Sequence, residues 1–489
     1  MKSIYFYDIS FLIIFSLFVL FFLYKKRENL KREGIMYLYR TRVGIKFIDY
    51  VGVKYKKFLS IYGFLGVISG YFLMISMIWF LYKLLSIYLF NPDVVRAIKI
   101  PPLMPLIPYL PEAFNISFLP PFYFSYWIIS IAVIALFHEF AHGIIARRYN
   151  IRILTTGFGF LGPFLAAFVE PDEKEMEDKP KYQQLAVLSA GVFTNLILSI
   201  IFFLLLSIFF LYTYAPAGVI FNTYTPDVVK LSDINNVGGK IIDNGSAESI
   251  LDIIKENNLK DNLVLGEKGK ELKLTEIQTQ DANYYITIDS FVNQLEENKE
   301  YVILFQDLPA LKSGLKGVII GINKYQIKDS DDLSSVLKNF KPGEKIRVTT
   351  RDKNEILNYD ITLGSDNKDS ERAVIGIGLS DGTDSRILGK ISEYFNFFKK
   401  SGTDYQPKFN PNFVIFIYNL IWWLALINLS VALINMWPVA IFDGGRFFMI
   451  SVWAITGNKK FAMNSFKFVT YLILGSLALL MIGWFFAVF

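Results

Sequence analysis

Six long apolar segments alternate with polar stretches along this 489-residue chain. A segment of about 20 apolar residues is enough to cross the hydrocarbon core of a bilayer. The pattern therefore predicts a polytopic α-helical membrane protein with about six transmembrane helices. The predicted spans lie near residues 9–24, 60–90, 122–146, 183–213, 412–434 and 466–488.

The first span is predicted to remain as an anchor rather than to be removed as a signal peptide. Lys25, Lys26 and Arg27 follow it, where a cleavage site would require small residues. They open a basic stretch, 25–57, which holds eleven Lys or Arg against three acidic residues. Positive charge beside spans is typical of the cytoplasmic side and of contact with lipid headgroups, so we expect no nucleic-acid partner.

The polar stretches between the spans are of two kinds. Residues 153–169 are apolar and rich in glycine, which indicates strands or a re-entrant hairpin beside the membrane. The acidic run from Glu170 to Asp178 is predicted to be a solvated loop without chemistry. The much longer region 215–400 is polar with short alternating apolar segments, which predicts an inserted α+β soluble domain outside the membrane.

Part of the inserted region has a recognisable order of elements. The segment 301–364 contains a strand (YVILF), a turn with PALKSGL, a strand (GVIIGIN), a helix (DDLSSVLKNF), a Lys-Pro-Gly turn and two strands. This order resembles a PDZ domain, a class that binds extended peptides or chain ends at a sheet edge, so such a ligand is a predicted partner. Residues 217–300 form either a second PDZ-like unit that begins at AGVIF or an elaboration of the first.

The predicted organisation therefore has four parts. They are N-terminal spans with the basic loop (1–121), core helices (122–214), the PDZ-like region (215–400) and C-terminal spans (401–489).

The only two histidines of the chain lie four residues apart near the end of the third span, in the string HEFAH. On a helix, His138 and His142 share one face, so both imidazoles can bind one Zn²⁺. The adjacent Glu139 can then reach a metal-bound water as a general base. Two helix histidines satisfied by ordinary hydrogen bonds are the alternative. Because cysteine is absent, a zinc site must use histidine and carboxylate ligands.

A third ligand is predicted in the string NMWPVAIFDGGR, near the inner end of the fifth span. Catalytic zinc usually has three protein ligands, and the predicted topology brings Asp443 to the same side of the membrane as HEFAH. Pro438 and the glycine pair that begins at Gly444 are expected to break the helix, so that Asp443 lies on non-helical backbone. Taken alone, Asp-Gly-Gly is also an ordinary turn sequence.

Together, HEFAHG, SAGVFTN (189–195) and NMWPVAIFDGGR resemble the three motifs of the site-2 protease family of intramembrane zinc metalloproteases. The resemblance covers the spans within 122–214 and 412–450. The chain departs from the family pattern at Val192 and Ala440, where the family often has proline. These positions shape the backbone and do not bind metal.

The resemblance implies a cofactor and roles for individual residues. Zn²⁺ would be bound by His138, His142 and Asp443, and Glu139 would deprotonate a zinc-bound water that attacks the scissile peptide bond.

Asn195 would hydrogen-bond the substrate carbonyl or the oxyanion, although an interhelical hydrogen bond is the ordinary role of a span asparagine. Asn435, Pro438 and Gly444 would support the loop that carries Asp443.

The implied function is regulated intramembrane proteolysis of transmembrane protein substrates. The active site would lie near the cytoplasmic side of the cell membrane, with the PDZ-like region outside. A prenyl-protein endopeptidase is a rival, but that class takes its third ligand from a later glutamate. An ATP-driven protease would need a phosphate-binding loop, which the sequence lacks. A transporter or an inactive scaffold is the non-enzymatic alternative, and the intact Glu139 argues against the scaffold.

Overall fold

Two compact units make up the protein in the computed structural model. The membrane unit comprises Met1–Tyr212 and Asn412–Phe489, and the inserted unit comprises Thr213–Pro411. The structure describes residues 2–34, 36–91, 95, 101–102, 104–114, 116, 119–161, 164–221, 223–242, 245–265, 272–297, 300–353, 355–366, 369–378 and 398–488.

The α-helices of the described residues are α1 (Lys2–Lys25), α2 (Ile45–Lys54), α3 (Lys56–Phe90), α4 (Leu110–Ala113), α5 (Phe124–Arg148), α6 (Glu173–Glu177), α7 (Lys181–Thr213), α8 (Ala247–Glu256), α9 (Ile288–Glu297), α10 (Pro309–Lys312), α11 (Ser330–Leu337), α12 (Pro411–Asn435), α13 (Asp443–Thr456) and α14 (Lys459–Val488).

The strands are β1 (Leu30–Glu33), β2 (Met36–Thr41), β3 (Ile153–Leu161), β4 (Phe164–Pro171), β5 (Tyr214–Val219), β6 (Thr223–Tyr224), β7 (Pro226–Lys230), β8 (Ile234–Val237), β9 (Lys240–Ile241), β10 (Leu263–Leu265), β11 (Leu272–Thr279), β12 (Asn283–Ile286), β13 (Tyr301–Gln306), β14 (Val318–Ile322), β15 (Tyr325–Gln326), β16 (Lys345–Asp352), β17 (Glu355–Thr362), β18 (Gly364–Ser365), β19 (Ala373–Val374), β20 (Ile377–Gly378) and β21 (Thr403–Pro407).

Six helices in the described part of the chain are long and apolar enough to cross a membrane, namely α1, α3, α5, α7, α12 and α14. This confirms the prediction of a polytopic, integral membrane protein. The last of these helices begins at Lys459 rather than at 466. Lys460 and Asn464 interrupt the apolar run there without interrupting the helix, so hydropathy alone placed its start too late.

The membrane unit also contains a four-stranded antiparallel sheet of order β1-β2-β3-β4. The strands predicted within 153–169 are confirmed as β3 and β4. Glycine is needed in β3 because a Cβ atom on Gly157 would lie 2.8 Å from a ring carbon of Phe168. The other two strands lie in the basic stretch 25–57. They were not predicted, because the charged residues of this stretch interrupt the apolar pattern that indicates a strand. Tyr37 of β2 pairs with Phe160 of β3.

The acidic run, for which the sequence predicts a loop, contains the short helix α6. Asp172 caps its N-terminus by accepting hydrogen bonds from the backbone N–H groups of Lys174 and Glu175. Glu175 accepts in turn from the backbone N–H and the guanidinium of Arg152, which lowers the pKa of the Glu175 carboxyl. These local hydrogen bonds convert the run from a loop into a helix.

The described residues of the inserted unit form three hydrophobic clusters, and the two larger ones each lie beside a sheet of their own. One sheet has the order β7-β13-β12-β11-β8-β9, and its core includes Ile277 of β11 and Phe291 of α9. The other has the order β17-β16-β14-β5-β21, and its core includes Val348 of β16 and Leu333 of α11.

Two sequence expectations for this unit need correction. The YVILF strand, predicted as part of the 301–364 unit, is β13 and pairs with β7 and β12 of the first sheet. The AGVIF segment, considered as the start of a second unit, contributes β5 to the second sheet, where Val219 pairs with Ile319. Both strands are apolar enough to join either sheet, so local pattern does not reveal their partners. The inserted unit is a soluble β-rich domain, and its PDZ character stays a prediction.

Candidate metal centre

Helix α5 carries both histidines on one face. Their Nε2 atoms lie 3.1 Å apart, and the His138 side chain is buried. Residues four apart lie one above the other on a helix, so helix periodicity alone brings the two rings together.

A backbone carbonyl determines which nitrogen of His142 carries the proton. The Nδ1 atom of His142 lies 2.7 Å from the carbonyl oxygen of Val187 in α7. A carbonyl oxygen only accepts hydrogen bonds, so Nδ1 carries a proton, and Nε2 is the nitrogen that can exchange its own proton for a metal. This is the usual arrangement of a histidine that binds metal through Nε2.

Asp443 completes a group of three potential ligands. Its Oδ2 atom lies 3.4 Å from His138 Nε2 and 3.3 Å from His142 Nε2. In a tetrahedral zinc site with bonds of about 2.0–2.1 Å, neighbouring ligand atoms are about 3.3 Å apart. The three atoms therefore have the spacing of three corners of such a tetrahedron, which leaves the fourth corner for water or substrate.

The ionisation of Asp443 also suits a metal ligand. Burial opposes ionisation of its carboxyl group, but without metal the positive charge on His142 and the N–H groups of His138 and His142 lower its pKa below the usual range. The side chain is therefore a carboxylate, the form that binds a divalent cation.

Gly191 of α7 leaves space beside the ligand atoms. A Cβ atom at this position would lie 2.7 Å from His138 Nε2 and closer still to His142 Nε2. Any residue larger than glycine would occupy the space between the rings and α7. The helix therefore accepts the cost of about 1 kcal/mol for a glycine in its interior.

Asp443 is the first residue of helix α13, so the expectation that it lies on non-helical backbone is wrong. Only the preceding residues, 436–442, are non-helical. The glycine pair lies inside α13 because the start of this helix packs on that segment. A Cβ atom on Gly444 would lie 2.6 Å from the Trp437 carbonyl oxygen, and one on Gly445 would lie 2.8 Å from the Val439 carbonyl carbon.

Glu139 lies beside the three ligands and is held by the sheet. Its Oε2 accepts a hydrogen bond of 3.0 Å from the backbone N–H of Val169 in β4. Glu139 and the three ligands line a cavity of about 310 Å³ together with Asn435. A carboxylate in this position can exchange a proton with a molecule bound in the cavity.

Asn195 is fully buried and contacts a ligand ring. Its Nδ2 lies 3.0 Å from His138 Nδ1, and its Oδ1 has no partner among the residues that the structure describes. In this orientation Nδ1 must accept, so Nε2 would carry the proton and could not bind metal. If the carboxamide is turned over, its oxygen accepts from Nδ1–H and the Nε2 lone pair faces Asp443. Metal binding therefore requires the turned orientation.

The remaining predicted residues lie around the Asp443 segment. Asn435 is the last residue of α12, and Gly444 is buried at the start of α13. Pro438 is buried, and its carbonyl oxygen accepts from Thr470 Oγ1 at 3.3 Å, which ties the segment to α14.

Sequence reasoning did not assign roles to Gly191, Val187 or Val169. Gly191 carried a signal, because a glycine inside an apolar helix often marks a close approach. Val187 and Val169 act through backbone groups, which every residue type has, so their side chains gave no signal.

Comparisons with known proteins agree with this geometry. Residues 126–482, most of the chain, match the model of Peptidase family M50. The chain is 27% identical over 258 residues to an uncharacterised protein of Methanocaldococcus jannaschii, an alignment that covers 51% of this chain and 62% of the relative. It is 22% identical over 186 residues to the zinc metalloprotease RasP of Shouchella clausii, with coverage of 33% and 44% respectively.

Both alignments span less than two thirds of the relative's length. The family match is broader, because it extends from the HEFAH helix through the Asp443 segment to the last span and so includes every predicted ligand. It confirms the resemblance to the site-2 protease family. The chain therefore belongs to peptidase family M50, a family of metallopeptidases.

Proposed function

We propose that this protein is an intramembrane zinc metalloprotease that hydrolyses peptide bonds within or near the transmembrane segments of other membrane proteins. The observation that carries the proposal is the tetrahedral spacing of the His138, His142 and Asp443 ligand atoms, with Gly191 leaving room beside them. Zn²⁺ bound by these residues would supply a Lewis acid that polarises the scissile carbonyl and acidifies water.

Glu139 acts as the general base and then as the general acid. Its carboxylate takes a proton from the attacking water, whose oxygen forms the new bond to the scissile carbonyl carbon. The same carboxyl group then gives the proton to the leaving amine as the peptide C–N bond breaks. The hydrogen bond from Val169 N–H orients Glu139 towards the cavity.

Asn195 has two roles to consider. A hydrogen bond to the substrate carbonyl or oxyanion is the role implied by the family and stays a prediction. The contact with His138 Nδ1 supports a positioning role, because it acts on a ligand ring rather than on the substrate.

The substrate is proposed to bind as an added strand on β4. A transmembrane helix hides its peptide bonds in its own hydrogen bonds, so it must unwind before cleavage. Among the described residues β4 is an edge strand, and Val169 N–H points away from β3 towards Glu139. Because strand groups alternate, the N–H of Ala167 faces the same open edge. An unwound segment bonded there would lie next to the metal ligands.

The centre is proposed to face the cytoplasmic side of the cell membrane. The basic stretch 25–57 supplies β1 and β2, which belong to the same sheet as the β4 strand that contacts Glu139. By the positive-inside rule this end of the spans is cytoplasmic, and the inserted unit is then outside. There its PDZ-like region would bind a peptide or chain end of a substrate or a regulator.

The rival readings are weaker on specific grounds. A prenyl-protein endopeptidase would present a glutamate where this chain presents Asp443. A transporter has no need for Glu139 beside a completed ligand set, and an inactive scaffold has no need to retain it.

Cleavage of a model transmembrane substrate in detergent, with the zinc content of each variant, tests the proposal. We expect the parent protein to cleave and to contain zinc. Glu139→Gln should retain zinc and lose cleavage by at least about 10³-fold, because it keeps the ligands and removes the base. Asp443→Ala should lose both zinc and cleavage.

The same assay tests the strand edge. Ala167→Pro removes the outward N–H without touching the β3 ladder, so it should lose cleavage and keep zinc, whereas Ala167→Val should keep both. A parent protein that binds no zinc and cleaves nothing would point to a transporter or scaffold. Equal losses of zinc and cleavage in Ala167→Pro would reject the edge as the substrate site.

A further inference from the structure

Two span asparagines each bury a carboxamide oxygen that has no hydrogen-bond partner among the described residues. They are Asn195 of α7 and Asn428 of α12, and both side chains are fully buried. A buried, unpaired amide oxygen costs about 1–3 kcal/mol, so two of them in one core call for an explanation. The amide nitrogen of Asn428 is satisfied, because Nδ2 donates to the Leu424 carbonyl at 2.7 Å.

The two asparagines lie at the same level of adjacent helices. The backbone N–H of Lys408, just before α12, donates to the carbonyl of Thr213 at the end of α7, so the two helices run antiparallel. Farther along, Ser199 Oγ donates to the Ala425 carbonyl at 2.9 Å. Asn195 comes four residues before Ser199 in α7, and Asn428 comes three residues after Ala425 in α12. Because the helices are antiparallel, both asparagines are displaced from the Ser199–Ala425 contact in the same direction, by about 6 Å and about 4.5 Å.

Helix periodicity also gives the two side chains a common direction. Residues three or four apart share a face, so Asn195 projects from the same side of α7 as Ser199. Asn428 likewise projects from the side of α12 that carries Ala425. Each side chain therefore faces the interface between α7 and α12.

We infer that Asn428 is a positioning residue that sets the tautomer of His138 through Asn195. With the Asn195 carboxamide turned over, His138 Nδ1–H donates to Asn195 Oδ1, and Asn195 Nδ2 donates to Asn428 Oδ1. Asn428 Nδ2 continues to donate to Leu424. The unpaired amide oxygens of Asn195 and Asn428 each gain a hydrogen-bond donor, and His138 Nε2 is available to the metal.

This chain of hydrogen bonds differs from the one that holds His142. A backbone carbonyl fixes the His142 tautomer in one step, whereas the His138 tautomer depends on two amides that can each rotate. Asn428 removes the freedom of the first amide, because its oxygen accepts only from the Asn195 nitrogen. The inference concerns metal affinity, so it stands whether or not the protein cleaves the proposed substrates.

The chain has only two histidines, so the N–H signals of both rings can be read directly. The experiment uses full-length, zinc-loaded protein in detergent with ¹⁵N-labelled histidine, because a metal held at Nε2 leaves Nδ1–H as the one N–H group of each ring. In the parent protein we expect a hydrogen-bonded Nδ1–H on both rings. In Asn428→Leu, the His138 Nδ1–H signal should shift and exchange faster with solvent, while the His142 signal stays unchanged.

Zinc affinity gives the second readout. Loss of a hydrogen bond behind a metal ligand typically weakens metal binding by 10–100-fold, so Asn428→Leu should weaken it by about 10-fold. Asn428→Asp keeps an acceptor oxygen and should keep the parental His138 Nδ1–H signal. Asn419→Leu is the matched control, because Asn419 is another buried asparagine of α12, and it bonds to Tyr126 instead.

Two results would overturn the inference. One is a parental His138 Nδ1–H signal together with parental zinc affinity in Asn428→Leu. The other is an equal change of both histidines in Asn428→Leu and in Asn428→Asp, because that result would show a packing role rather than a hydrogen bond to Asn195.

Discussion

The two sides of the metal centre are built in different ways. His138 and His142 lie on one continuous helix, so the periodicity of α5 places their rings together without help from the rest of the protein. Asp443 lies about three hundred residues later in the chain, and its place depends on the close packing of Gly444 and Gly445 on residues 436–439. One side follows from local structure and the other from tertiary packing. A motif therefore identifies all three ligands, but it explains the geometry of only two.

The largest effect is expected from filling the space next to the two histidine rings. In Gly191→Ala the new methyl group would lie 2.7 Å or less from both Nε2 atoms, so the rings must move apart or away from α7. We expect zinc affinity to fall by about 100-fold, or ~2.7 kcal/mol, as measured by competition with a chelator.

Gly475→Ala is the control for this change. Gly475 is also a span glycine, but a Cβ atom there would have no neighbour within 4 Å. It should bind zinc as the parent does. If Gly191→Ala bound zinc with the parental affinity, α7 would not form a wall of the metal site.

The sequence was most informative where structure is local. Six apolar runs predicted six spans, and the four-residue spacing of the histidines predicted a shared helix face. Asp443 was found by combining topology with a family motif. Its helical environment was missed, because Asp-Gly-Gly is a turn sequence unless another segment packs against the glycines.

Features that depend on a distant partner could not be predicted. Of the two strands within 25–57, β2 pairs with β3 and β1 pairs with β2, and their charged residues give no alternating apolar pattern. The strand Tyr301–Gln306 was predicted as part of the 301–364 unit but pairs with β7 and β12, since an apolar strand does not specify its neighbour. The contacts of Val187 and Val169 use backbone atoms, which every residue type has, so the sequence does not indicate them.

A smaller effect is expected on the packing-dependent side. In Gly445→Ala the methyl group would lie 2.8 Å from the Val439 carbonyl carbon, so α13 must shift away from residues 436–439. Overpacking typically costs about 1–3 kcal/mol, although alanine favours a helix by about 1 kcal/mol over glycine. We expect about 10-fold weaker zinc binding, with the Nδ1–H signals of His138 and His142 unchanged in the zinc-loaded protein.

Gly483→Ala is the control here, because its nearest neighbour, at 3.6 Å, is in ordinary contact. If Gly445→Ala changed the Nδ1–H signals of both histidines as well as zinc affinity, the histidine side and the Asp443 side of the centre would not be built independently.

The smallest effect is expected from the ion pair that joins α6 to α13. Arg446 Nη1 lies 3.3 Å from Glu173 Oε1, three residues after Asp443, so charge rather than packing is a rival explanation for the position of this helix. The two side chains are 44% and 76% exposed, and exposed pairs contribute only about 0–1 kcal/mol. A double-mutant cycle with Glu173→Gln and Arg446→Gln should therefore give a coupling energy below about 1 kcal/mol in zinc binding, decreasing with added salt. Because both glutamine variants keep the side-chain volume, the cycle isolates charge from packing. A coupling energy above about 2 kcal/mol would assign the position of Asp443 to this ion pair, and the contrast between a helix-built side and a packing-built side would no longer hold.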